Sequence, residues 1–156
     1  MRHPNLLLSS LRVVLLGVVL QATSAFAQQV KILKIVGNTS AVAVTGATGA
    51  VGPGMTLPVS ARIVTGAGVE VYVEAVTGVV AVIKPNADIT VASLGSAENR
   101  TLDLHQGSVV SLVDPKRYKA NSYGVKTPRG VAAARGTVYV TTVSGQESTT
   151  YENKEN

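Results

Sequence analysis

From Val69 onward, apolar and polar residues alternate with the two-residue period of a β-strand. Val69, Val71, Val73 and Ala75 share one face, while Glu70, Tyr72 and Glu74 take the other. Thr77-Gly78 predicts a tight turn, and Val79 to Ile83 the returning arm of a hairpin. Pro85-Asn86 turns the chain again into Ile89 to Leu94. Leu102 and Leu104 then point inward with Asp103 and His105 opposite them, and Gln106-Gly107 is read as a turn into Val109 to Val113. Asp114-Pro115 opens a polar loop that runs to Asn121 and Ser122. Turns recur at roughly ten-residue intervals and no segment carries a helical apolar stripe. The fold class expected is therefore all-β: a single compact domain of short antiparallel strands, built as a sandwich, a roll or a short solenoid.

The two ends depart from this pattern. Arg2 and Arg12 give a basic start, Val13 to Leu20 is uninterrupted and apolar, and Ala25-Phe26-Ala27 is a small-x-small site. A membrane-spanning helix needs about 20 apolar residues. This shorter run reads as a secretory signal peptide over 1–27, cleaved after Ala27. The expected organisation is a leader at 1–27, a β domain at 28–145 and a polar, disordered tail at 146–156. No second stretch of spanning length occurs, so the mature chain is expected to be exported, periplasmic or secreted, without a membrane span. The absence of cysteine excludes a lipid-anchored lipoprotein and any disulfide or thiolate chemistry.

Charge narrows the partners. The sequence holds 14 Lys plus Arg against 9 Asp plus Glu; cleavage removes two arginines and leaves +3. The remaining cations are scattered, and the aromatics that survive cleavage are five tyrosines. A nucleic-acid binder would carry a basic stripe interleaved with aromatic residues, so nucleic acid is not an expected partner.

Gly46-x-x-Gly49-x-x-Gly52 imitates a dinucleotide-binding loop, but Pro53, Gly54 and Pro58 prevent the helix whose N-terminus would hold the pyrophosphate. Asp103 and His105 sit on one strand face without a nucleophile-elbow sequence to complete a triad. One mature histidine and singly spread carboxylates do not make a metal-ligand set. The sequence therefore predicts no catalytic residues, no cofactor and no metal. Asn38-Thr39-Ser40 and Asn99-Arg100-Thr101 match glycosylation triplets, which are common by chance, and the leader looks bacterial.

The segment with the most distinct chemistry is Tyr123 to Val140: a short strand, a break at Pro128, a small apolar spacer from Val131 to Ala134, Arg135-Gly136, then a strand from Thr137 to Val143. Val125-Lys126-Thr127-Pro128 followed by Ala132-Ala133-Ala134-Arg135-Gly136-Thr137 resembles the end of the FecR domain, with its V-x-T-P, spacer and R-G-T. Upstream, Gly54-Met55-Thr56-Leu57 and Arg62-Ile63-Val64-Thr65-Gly66 are similar to further elements of that family, and the resemblance spans roughly Val30 to Val143. Ser60 stands where the family usually has glycine.

Thr127, Pro128, Arg135, Gly136 and Thr137 form the family signature and are expected to be structural. Arg135 would be enclosed and bonded to backbone carbonyls or to Asp88 or Asp103. Lys126, Arg129, Tyr72 and Tyr139 are the candidate interaction surface, although packing is the ordinary role of a tyrosine such as Tyr139. FecR-type proteins relay a signal across the cell envelope. This chain looks like the outer domain alone, so the resemblance does not carry sigma-factor control with it. The expected function is a non-catalytic protein-interaction or sensory module whose partner is another envelope protein. The alternatives are a polysaccharide-binding module, for which the chain is poor in aromatic platforms, and a structural surface protein that self-associates through its strand edges.

Overall fold

The computed structural model describes residues 29–94, 96–133, 137–145 and 147–153. The leader with its cleavage site, and Arg135 and Gly136 of the signature, lie outside the described residues. Among the described residues twelve strands are formed: β1 (Val30–Val36), β2 (Val42–Thr45), β3 (Thr56–Leu57), β4 (Arg62–Thr65), β5 (Glu70–Val76), β6 (Val79–Ile83), β7 (Asp88–Leu94), β8 (Ser96–Val113), β9 (Tyr123–Thr127), β10 (Gly130–Ala133), β11 (Val138–Ser144) and β12 (Glu147–Asn153). The hairpin β5–β6 forms across Thr77-Gly78 as its alternation dictates, and Asn86 turns with φ +57°. A single 3-10 turn at Thr39–Ala41 is capped by Asn38, whose side chain accepts from the Ser40 N–H.

The strands make one curled sheet with two halves. The first half has the order β3-β1-β5-β6-β8-β11-β12, the second β2-β4-β7-β8-β9-β10. Every pairing is antiparallel except β8 with β9, which is parallel. β4 lies beside β7, and β8 beside β11, so distant segments are brought together rather than stacked in sequence as a solenoid would require. The architecture is a roll, and β8 belongs to both halves.

Gly107 makes that dual membership feasible. Pairing of β8 with β7 ends at Gln106, and pairing with β11 begins at Gly107, so the predicted Gln106-Gly107 turn is instead a corner within one long strand. The corner needs φ +85°, and a Cβ at this position would stand 2.6 Å from Ala87 Cα. The halves close on a single core. Val71, Val73, Val79, Ala81, Ile83 and Val109 come from the first half, and Ile63, Ile89, Val91, Leu102, Leu104 and Val125 from the second. Tyr123 is fully buried between them.

Two further segments read as irregular contain strands. Of the tail read at 146–156, Glu147–Asn153 forms β12, paired with β11 from Val138↔Asn153 to Ser144↔Glu147. Its few apolar residues hid it, but Thr149, Thr150 and Tyr151 have the β-branched and aromatic shapes that suit a pleated strand. The spacer after Pro128 is also a strand through Ala133: β10 folds back on β9 in register Gly130↔Thr127 to Ala133↔Gly124.

Ser60 holds φ +77°, the backbone that glycine would adopt freely, while its N–H donates to Val91 O at 2.7 Å. Ser60→Gly is expected to leave the turn intact. Relief of left-handed strain, worth about 1 kcal/mol, is partly offset by the greater freedom of the unfolded glycine. A thermal melt unchanged or raised by a few degrees fits this balance; a loss of more than about 5 °C contradicts it.

Candidate interaction surface

The signature begins at the β9–β10 hairpin. Thr127, nearly buried, is its organiser: the hydroxyl donates to Gly130 O at 3.2 Å and accepts from the Arg129 N–H at 3.3 Å. The same oxygen lies 3.0 Å from Ser148 Oγ, tying the hairpin to β12. Pro128 occupies the turn, where no N–H is needed for the ladder. Thr137 is exposed and its carbonyl accepts from the Val113 N–H at 2.8 Å, which seats the start of β11 beside β8.

Lys126 and Arg129 are exposed, and Lys126 Nζ stands 3.7 Å from Asp103 Oδ2. His105 Nε2 lies 3.0 Å from Thr90 Oγ1, across the β7–β8 pairing. Asp88, named above with Asp103 as a partner for Arg135, is engaged by Arg62: Nε donates at 2.7 Å, and Nη2 reaches the other oxygen. That fork holds the Asp88 carboxyl below the usual carboxylate range. Asp103, half-buried, and His105, exposed, thus lie on the polar face of β8 that their alternation suggested. Among the described residues, no three His, Asp or Glu side chains converge as metal donors.

Tyr139 leaves the candidate surface. It is 3% exposed, with its ring centroid 6.4 Å from that of Tyr123 at a 50° tilt. Ser111, directly opposite Tyr139 in the β8–β11 pairing, places Oγ 3.0 Å from the Tyr123 hydroxyl. Burial pushes the ionisation of both phenols far above the ordinary tyrosine range. The inward face of the first half is accordingly polar in places: Ser111, Tyr139 and Thr141 all face the core.

Its outward face carries two rows that are largely apolar, beside a polar row of Ser108, Thr142 and Thr149. The pairings align Tyr72, Val82, Val110, Val140 and Tyr151 in one row across β5, β6, β8, β11 and β12. The neighbouring row runs Glu74, Val80, Leu112, Val138 and Asn153. Val82 points away from the core yet is only 5% exposed, while Leu112 is 38% and Tyr151 69% exposed. At the Leu112 end, the loop after β8 walls a pocket of ≈ 330 Å³ lined by Glu74, Val80, Leu112, Arg117, Thr137 and Val138. The rim is charged and aromatic: Lys34 Nζ sits 5.7 Å from the centroid of Tyr72, whose hydroxyl donates to Glu70 at 3.1 Å. Lys84 also bonds Glu70 and lowers its carboxyl pKa, while the Glu70 contact raises that of Tyr72.

Of the residues expected at an interaction surface, Tyr72 alone lies on this face. The valines and Leu112 were missed, although a signal was present. VVAVI in β6 is a continuous apolar run and VVSLV in β8 is broken only by Ser111, the pattern of strands covered on both faces.

No curated protein and no solved structure matches the chain. Among protein families, residues 61–153 match FecR protein, more than half of the chain. The match begins after the Gly54 to Leu57 element and extends through β12, beyond the Val143 limit expected from the motifs. By that match, and by the all-β roll that carries the T-P signature on a strand hairpin, the chain belongs to the FecR family.

Proposed function

We propose that this protein is an exported, non-catalytic module of the bacterial cell envelope that binds another envelope protein through the outward face of β5, β6, β8, β11 and β12. Residues 1–27 serve as the cleaved leader, and the folded domain runs to Asn153 in β12. FecR proteins form a regulatory and sensory family, which accords with binding rather than catalysis. The observation that carries the reading is the double-sided apolar character of the central strands: Val80, Val82, Val110, Leu112, Val138 and Val140 face away from the core. A largely apolar surface with a charged rim suits a protein partner.

The test is comparative. Wild type, Leu112→Glu and Val140→Lys are used as bait against envelope extract. The partner recovered is then measured against each by titration. Both variants are expected to melt close to wild type and to lose at least about 100-fold in affinity, because each buries an unpaired charge, of either sign, at the contact. A partner held equally by all three, or recovery of polysaccharide alone, would remove this face from the function.

A further inference from the structure

We propose that two copies of this chain join by antiparallel pairing of β12 with β12, about a two-fold axis at Thr150. Among the described residues, β12 pairs on one side only, with β11. It is seven residues long, against two for β3 and four each for β2 and β10, the other outermost strands. Edge strands are normally blunted by brevity, bulges, proline or charged side chains, lysine above all. Glu147–Asn153 (ESTTYEN) has neither proline nor lysine, and its register with β11 runs without a shift.

The strand is also self-complementary. With the axis at Thr150, Glu147 of one copy faces Asn153 of the other, Ser148 faces Glu152, Thr149 faces Tyr151, and Thr150 faces itself. All seven residues pair, and no like charges stand opposite one another. Moving the axis to Thr149 or to Tyr151 leaves two of the seven outside the described strand's pairing. Thr149 and Tyr151 are on the outward side, so their contact is a cross-strand pair of a β-branched and an aromatic residue. Tyr151, 69% exposed in a single copy, gains a neighbour there. Since Tyr151 ends the row that contains Val110 and Val140, pairing makes the outward faces of the two copies one continuous surface.

The chain has no cysteine, which allows a direct test. In the proposed register the two Thr150 Cα atoms lie about 4.5–5.5 Å apart, within disulfide range. Two Glu147 residues are separated by six positions along the paired strands, roughly 20 Å. Thr150→Cys is expected to give a cross-linked dimer under mild oxidation, and Glu147→Cys to remain unlinked. Wild type should show the mass of two chains by light scattering at high concentration. A wild type with one-chain mass at every concentration overturns the proposal, as does a Thr150→Cys protein that fails to link or a Glu147→Cys protein that links as readily. None of these readouts depends on the heterotypic partner, so the two proposals fail separately.

Discussion

Replacing Gly107 by alanine is expected to destabilise the protein by about 3–4 kcal/mol, the sum of left-handed backbone strain and overpacking. The added methyl would meet Ala87 Cα at 2.6 Å, Ala87 Cβ at 2.8 Å and Asn86 O at 2.9 Å. Ala87 has little room to yield. It is 1% exposed, its N–H donates to Thr65 Oγ1 at 2.9 Å, and its carbonyl accepts from the Thr65 N–H at 2.9 Å. The expected fall in melting temperature is about 10 °C or more. Gly68 supplies the control: it has φ +69° but open space around its missing Cβ. Gly68→Ala carries the backbone strain alone and should cost about 1–2 kcal/mol. Equal losses in the two variants would show that the corner of β8 is not tightly held.

Tyr123→Ala is expected to cost about 4 kcal/mol, the range for removing a large aromatic ring from a core. Tyr123 is fully buried where the halves meet, packed against Tyr139. The hydroxyl can be separated from the ring by a double-mutant cycle. Tyr123→Phe leaves Ser111 Oγ without its 3.0 Å partner, and Ser111→Ala leaves the phenol in the same position. Each single change should cost about 1–3 kcal/mol, because a buried polar group loses its bond. The double variant should be milder than the sum, by a coupling of about 0.5–3 kcal/mol. Strict additivity in denaturant unfolding would mean that the two hydroxyls do not share a bond in solution.

What could be read from the chain depended on how local the determining physics is. The β5–β6 hairpin was legible because alternation and Thr77-Gly78 act within a few residues. Asp103 and His105 were rightly placed on a polar face by the same alternation. Gly107 misled because a glycine at a corner and a glycine at a turn look alike; what decides is pairing with β7 and β11, remote in sequence. β12 was hidden because its strand state comes from β11 rather than from an apolar face of its own. Tyr139 went to the core because Ser111 stands opposite it and leaves the ring space beside Tyr123, a register no local pattern encodes. The apolar rows of the outward face went unread for a different reason. Period-two reasoning assigns one face of a strand to water, and the valine runs of β6 and β8 violate that assumption.

The dual membership of β8 bears on when the chain can fold. β6 and β7 precede β8 in the chain, but β9 and β11 follow it and extend to Ser144, so the strand shared by both halves is flanked on both sides only when almost all of the chain is available. Pairings across such sequence distances are entropically costly to start, and proteins dominated by them fold in milliseconds to seconds rather than microseconds. On the export reading proposed above, that delay is useful. A chain that closes slowly stays threadable while it crosses the membrane, and it takes its final shape on the side where its partner waits.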